Sequence, residues 1–387
     1  MAEGLNVPSC PQNHLCVYHL PVGQGDSTLI VGPNRKTILV DAGKSVKKAK
    51  QWLDKLGVTQ LNWVVLTHRD YDHIGGFADN RGKKAKSIFW GKDQAPGKAE
   101  VDDDGNGVTD WLPEGGPCGQ PMPDPGEINA PGSDDIYPTD GVYYNGDVVN
   151  CEDDDQSITF HRFMGIVTAK PGLLKSLTDA DSVKTAFNHA IDLGKEAKAR
   201  IVVANGYVFN SDVKVERVDT QNERSIGLYV EFGEFDYLVS GDLIGREYAG
   251  ENAHVEEALG LALVTISDSP KKDPLDVLQV NHHGGNNASD EVFLDLVKPE
   301  FAVISVGKNG FGHPDPQTLL RLANSPKMQT IFMTEPVSGT EKIPAEGKPV
   351  EVVLSNAPVV ITTDGAVIYI EAQGGIYKKE VPVDSKK

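Results

Sequence analysis

The stretch Thr67-His68-Arg69-Asp70-Tyr71-Asp72-His73-Ile74-Gly75-Gly76 places four metal-competent side chains, His68, Asp70, Asp72 and His73, within six residues. Imidazole nitrogen and carboxylate oxygen together make a donor set for divalent cations such as Zn2+ or Mn2+. Four such ligands are too many for one compact ion that keeps an open position. They suit two ions about 3.5–4 Å apart that share further ligands from elsewhere in the chain. Asp242 and the pair His282-His283 supply them, each just past an apolar run. A carboxylate such as Asp242 can bridge two ions with its two oxygens. Asp70, Asp72 and Asp242 then set three negative charges against the four positive charges of two divalent ions. One charge remains for a metal-bridging hydroxide, a ready nucleophile near neutral pH. The chemistry indicated is hydrolysis.

Such a site needs strand ends to carry it, and the flanking sequence provides them. Leu61–Thr67 is a short apolar run that delivers the His/Asp loop, and Asp276–Val280 delivers the paired histidines. His14–Leu20, Ser27–Val31, Lys36–Val40, Ser87–Trp90, Ala199–Ala204, Ile226–Phe232, Asp236–Ser240 and Phe301–Val306 also read as strands, and 329–370 is strand-rich. Helical spacing marks Val46–Leu56, Leu173–Gly194, Ala253–Leu263 and Glu291–Val297. Strand alternating with helix implies an α/β fold of stacked sheet and helix layers, with the ligands gathered at one edge. The 387 residues are read as a single metallo-hydrolase domain with one insertion.

That insertion spans Lys92 to Phe163, where Gly, Pro and Asp dominate and apolar periodicity disappears. Sixteen acidic residues and no Lys or Arg lie between Glu100 and Asp155, so the rest of the chain carries only three of the nineteen net negative charges. The acidity belongs to the insertion, and the remainder is no basic groove. Weak non-specific nucleic-acid affinity follows. Within the insertion, Asp102, Asp104, Asn106, the Val108 carbonyl and Asp110 stand at the oxygen-ligand positions of a calcium loop, with Gly107 at its turn. Pro113 replaces the loop's closing glutamate, and Glu114 comes one step late. A Ca2+ site is expected there. Cys10, Cys16, Cys118 and Cys151 lack zinc spacing; free thiols in a reducing compartment are favoured over bridges Cys10–Cys16 and Cys118–Cys151. No apolar run approaches the roughly 18 residues of a membrane span, and no signal peptide is visible at the N-terminus. A cytoplasmic location is therefore expected, and a secreted or periplasmic one if a leader has been removed.

These motifs resemble the metallo-β-lactamase-fold hydrolases through His-x-Asp-x-Asp-His followed by Gly-Gly, through Ser240-Gly241-Asp242, and through His282-His283-Gly284. More narrowly they resemble the hydrolase domain of ComEC-type competence DNA-uptake proteins. That resemblance rests on Val22-Gly23-Gln24-Gly25-Asp26-Ser27, Ile38-Leu39-Val40-Asp41, Asn222-Glu223-Arg224-Ser225, Asp276-Val277-Leu278 and Ser305-Val306-Gly307-Lys308-Asn309 before His313-Pro314. It implies an αββα sandwich and a two-metal phosphodiesterase or DNase-like activity on single-stranded DNA or a small phosphodiester. It also implies roles: His68 and Asp70 on one ion, Asp72 and His73 on the other, Asp242 bridging. His283 is the remaining imidazole ligand with His282 orienting or touching substrate, or the reverse. Asp26 and Asp41 are read as residues that hold ligands and turns in place. Asp72, His282, Asn222 and His313 are the candidates to act on substrate, His313 as proton donor. Gly75 and Gly76 are expected to open a helix whose amides receive a phosphate oxygen. Asn222 and Asp70 stand where many relatives place histidines, which makes the site oxygen-rich and favours Mn2+ or a mixed pair over Zn2+ alone. The alternatives are hydrolysis of non-phosphate esters and a non-catalytic, metal-stabilised interaction protein that binds through a Ca2+-loaded insertion.

Overall fold

A computed structural model describes residues 10–78, 87–89, 136, 138–146, 159–160, 163–164, 167, 172–212, 214–215, 218, 220–245, 254–266, 275–340 and 347–382. Its strands form two nine-stranded sheets. In the first, Tyr377–Pro382, Val367–Ala372, Val359–Thr363, Leu15–His19, Thr28–Val31 and Thr37–Val40 run antiparallel to their neighbours. Leu61–Val65, Pro138–Tyr144 and Leu174–Ser176 then follow in parallel. In the second, the Gly227–Phe232/Phe235–Val239 hairpin leads into a parallel run of Val277–Gln279, Phe301–Ile304, Thr330–Met333 and Glu351–Leu354.

Strand alternation explains how the layers stack. Leu15 and Val17 point into the core between the sheets, and Cys16 and Tyr18 point to the opposite face. Ile38 and Val40 likewise face inward while Leu39 faces out. The outer face is covered by the helix Val46–Lys55, which buries Val46, Ala49 and Leu53 and starts at a Ser45 cap. The inner core continues through the second sheet to Val183 of Ala180–Asn188, Leu259 of Val255–Ile266, Phe293 of Glu291–Val297 and Leu319 of Pro316–Asn324. The order is helix, sheet, sheet, helix, a mixed α/β sandwich of the expected class. No helix among the described residues is long and apolar enough to cross a membrane.

Four expectations change. The helix expected over 173–194 is only Ala180–Asn188, flanked by the short strands Leu174–Ser176 and Ile191–Gly194. The capping box between Asp179 and Ser182 starts it at Ala180, about two turns later than hydrophobic spacing indicated. Residues 87–89 form a turn, not a strand. Pro138–Tyr144, inside the segment read as insertion, is a strand paired on both sides in the first sheet. Its Asp140 is an acid of that segment that pairs with Lys36 at 2.9 Å. Finally Cys10 and Cys16 are joined as a disulfide, in place of free thiols. Such bonds persist in oxidising compartments. The calcium loop at 102–114, Cys118 and Cys151 lie outside the described residues.

Candidate metal centre

The parallel strands of both sheets end at one place, and their following loops carry the candidate ligands. Asp41 follows Thr37–Val40, His68 to His73 follow Leu61–Val65, Asp242 follows Phe235–Val239, and His282 and His283 follow Val277–Gln279. Asp26 arrives from the loop before Thr28–Val31, and its N–H donates to Asp72 O at 3.1 Å. The two sheets meet closely here. A Cβ on Gly241, whose φ is +54°, would lie 2.6 Å from Thr67 Oγ1. Only glycine fits that backbone and that gap.

Asp242 is the centre of the cluster. Its Oδ1 faces His73 Nε2 at 3.2 Å and His283 Nε2 at 3.6 Å. Its Oδ2 faces His68 Nε2 and His282 Nε2, each at 3.8 Å. Asp72 Oδ2 lies 3.5 Å from His283 Nε2, and Asp70 Oδ2 lies 3.7 Å from His68 Nε2. Ligand atoms of His68, His73 and Asp242 lie within 4.8 Å of one another, and so do those of Asp72, His73 and His283.

Each imidazole has its other nitrogen engaged by an oxygen. His73 Nδ1 lies 2.7 Å from Asp41 Oδ2, a carboxylate that also accepts from Thr67 N and Thr67 Oγ1. His283 Nδ1 donates to Ser305 O at 2.8 Å, with Asp26 Oδ1 at 3.2 Å. His68 Nδ1 is 3.1 Å from Thr67 Oγ1, whose own proton goes to Asp41, and 3.3 Å from Ser225 Oγ. His282 Nδ1 is 2.7 Å from Asn287 Oδ1. Acceptors at Nδ1 leave the Nε2 lone pairs facing Asp242.

These donors fit divalent cations. Nε2 of His68, His73 and His283 and Oδ1 of Asp242 are buried with no hydrogen-bond partner, a costly state unless an ion takes the lone pairs. Burial alone would push the His73 and His283 rings down. The Asp242 carboxylate, joined by Asp41 for His73 and Asp26 for His283, outweighs burial and holds both well above the usual histidine value. Burial would push the Asp242 carboxyl up, but His73 first, then His283 and His282, hold it well below the carboxylate range. The cluster attracts positive charge strongly enough to take protons when they are offered.

The sequence candidates divide accordingly. His68, Asp70, Asp72, His73, Asp242, His282 and His283 come together; Asp26 and Asp41 hold ring nitrogens. Asn222, in the short 3-10 turn Asn222–Arg224, has Nδ2 3.3 Å from His282 Nε2 and a buried, unpartnered Oδ1. His313 packs its ring 5.1 Å from that of His282. Burial, then His282 and His283, push its ring down to about 4. Gly75 and Gly76 do not open a helix: the one-turn helix Tyr71–Ile74 ends before them, and a Cβ on Gly76 would meet Ala42 O at 2.1 Å. The sequence reading missed Thr67, Ser225, Ser305 and Asn287, which fix the rings, and Lys44, whose Nζ is 3.8 Å from Asp72 Oδ2 and 5.5 Å from the Phe311 ring centre. Thr67 had a sequence signal in its adjacency to His68, and Ser225 and Ser305 stood in the quoted motifs without an assigned role; Asn287 and Lys44 had none.

The Metallo-beta-lactamase superfamily profile matches residues 20–149. ComE operon protein 3 of Bacillus subtilis (strain 168) is 31% identical over 103 residues, 27% of this chain and 11% of that protein. The chain's match thus covers about a tenth of that relative's length. Among solved structures, Tm1679, described as a metal-dependent hydrolase of the beta-lactamase superfamily, aligns at 14% identity over 88% of this chain and 99% of its own, with a TM-score of 0.38. The metallo-beta-lactamase fold protein YhfI from Bacillus subtilis aligns at 10% identity over 90% and 99%, with a TM-score of 0.39.

Proposed function

We propose that this chain, whose residues 20–149 match the Metallo-beta-lactamase superfamily model, is a metal-dependent hydrolase that cleaves phosphodiesters at a centre for two divalent ions. The observation that carries the reading is the division of the cluster by the two oxygens of Asp242. On the Oδ2 side, His68, Asp70 and His282 would hold one ion; on the Oδ1 side, Asp72, His73 and His283 would hold the other. The ions supply Lewis acidity to a phosphoryl group and a nucleophile at neutral pH.

The protein's own residues supply the rest. Asp41, Asp26, Thr67 and Ser305 fix the imidazoles with Nε2 inward, so the donor set is assembled before substrate arrives. Lys44, partly exposed beside Asp72, gives an anionic diester a cation at the mouth of the site. His313, half-buried with its ring 5.1 Å from that of His282, would offer a ring nitrogen to a bound phosphate. Asn222 adds an amide next to His282. Three carboxylates among the ligands make a hard donor set, which favours Mn2+ or a mixed pair with Zn2+. Single-stranded DNA and small phosphodiesters are the substrates proposed.

Turnover of bis(p-nitrophenyl) phosphate by the protein reconstituted with Mn2+ or Zn2+ is the test. Activity that requires added metal and is abolished by chelator is expected. A reconstituted protein that hydrolyses carboxylic or thioesters but no phosphodiester would overturn the proposal.

A further inference from the structure

We infer that Asn287 is the residue that positions His282, and that Glu256 and Arg321 hold Asn287 in place from the two sides of its loop. The inference rests on the proposal that His282 Nε2 faces an ion. His282 differs from the other three imidazoles in its support. It is 19% exposed where His68, His73 and His283 are at most 1% exposed, so its ring is enclosed less completely than theirs. Its Nδ1 depends on one short contact, 2.7 Å to Asn287 Oδ1. The geometry there leaves little slack: a Cβ on Gly285 would sit 3.0 Å from His282 Nδ1 and 3.2 Å from Asn287 Oδ1.

The loop that presents both residues is under strain. His282 and His283 have φ of 50° and 52°, and Ser289 has φ of 53°, in the left-handed region that side-chain-bearing residues avoid. A backbone held that way needs support from outside, and two buried side chains, Glu256 and Arg321, provide it. Glu256, on the helix Val255–Ile266, accepts from Asn281 Nδ2 at 2.6 Å, from Ser289 N at 2.8 Å and from Asp290 N at 2.8 Å. Arg321, on the helix Pro316–Asn324, donates to Ser289 O at 3.0 Å, Asn286 O at 2.9 Å and Ala288 O at 2.8 Å. Glu256 takes the loop's N–H groups and Arg321 takes its carbonyls. Gly245 N closes the arrangement by donating to Asn287 O at 3.0 Å. Asn287 is thus fixed through its neighbours on both sides. An acceptor so placed selects the His282 tautomer with its lone pair on Nε2.

Two measurements on the full chain test this. In the metal-free protein above pH 8, long-range 1H–15N correlations read which ring nitrogen of His282 carries the proton, assigned with His282→Gln. Nδ1–H is expected in the wild type and in Asn287→Asp, which keeps an acceptor, and a mixture in Asn287→Ala. A wild-type Nε2–H, or an Asn287→Ala ring unchanged from wild type, would overturn the inference. Titration with Mn2+ followed by electron paramagnetic resonance gives the second readout. Asn287→Ala should weaken one of two binding steps by roughly 10–100-fold and leave the other unchanged. Arg321→Met and Glu256→Gln should weaken the same step, and Asn287→Asp should restore it. Equal loss of both steps, or no rescue by Asn287→Asp, counts against Asn287 as a positioning residue. If the wild type binds no Mn2+ at all, the metal-centre proposal fails, and the tautomer measurement still decides the role of Asn287.

Discussion

The two halves of the Asp242 cluster use the same ligand types but back them differently. His73 and His283 are buried and have the carboxylates of Asp41 and Asp26 behind their Nδ1 atoms. His68 and His282 have neutral oxygens behind theirs, from Thr67, Ser225 and Asn287. Asp70, the carboxylate on this side, is 31% exposed, against 19% for Asp72. A carboxylate behind an imidazole raises its basicity and strengthens its bond to a metal. On the proposed two-ion reading, the enclosed half would be the tighter site, and the open half the one that exchanges ligands and meets substrate.

The largest effect expected is loss of the comparison itself. Asp242→Ala should empty both halves together, read as metal per chain after dialysis, because each half depends on one of its oxygens. One ion retained at full occupancy would show that Asp242 does not join them. Next, Asp41→Asn should weaken binding in the enclosed half by roughly 10–100-fold, since it removes the charge behind His73. The open half should keep its affinity; a fall confined to the weaker step of the isotherm would reverse the assignment. Asp70→His should sharpen the contrast in metal preference. Imidazole is the softer ligand, so Zn2+ affinity should rise at the weaker step and any preference for Mn2+ should shrink. An unchanged preference would remove Asp70 from the ligand set.

The last effect, on stability and not on metal binding, concerns Glu256, which supports the open half from a distance. Burial pushes its carboxyl up to about 7, against the opposing hydrogen bonds from Asp290, Asn281 and Ser289. An acid with a raised folded-state pKa takes up more protons folded than unfolded between its ordinary value near 4.5 and 7. Its contribution to stability therefore falls as pH rises through that window, by about 3 kcal/mol in all. Urea unfolding at a series of pH values should show that decline in the wild type relative to Glu256→Gln. A difference that grows with pH would mean that the three donors hold the carboxylate ionised.

Much of this was legible in the chain. Strand ends were readable because apolar runs stop at Thr67, Ser240 and Val280, and the metal-competent residues follow at once. The candidate ligands were readable because His68, Asp70, Asp72 and His73 are crowded into six positions, which few other functions require. The strand Pro138–Tyr144 was not readable, since its Pro, Asp and Gly mark a turn by propensity. Pairing with Leu61–Val65 on one side and Leu174–Ser176 on the other overrides that preference. The helix boundary at Ala180 and the placement of Gly75 and Gly76 were missed for a similar reason. Caps and close backbone approaches are settled by neighbours in space.

What the sequence determined alone is the donor chemistry: which side chains can bind a cation, and that they sit at strand ends. Ligand type and strand periodicity are local properties, carried by residues close together in the chain. Which ligands face which oxygen of Asp242, and what stands behind each ring, only the tertiary structure decided. Asn287 reaches His282 through a loop that Glu256 and Arg321 grip from two distant helices. Asp41 and Asp26 reach His73 and His283 from the other sheet or from far along the chain. Those contacts join residues with no fixed spacing between them, so orientation and tautomer, and with them the difference between the two halves, exist only once both sheets are packed.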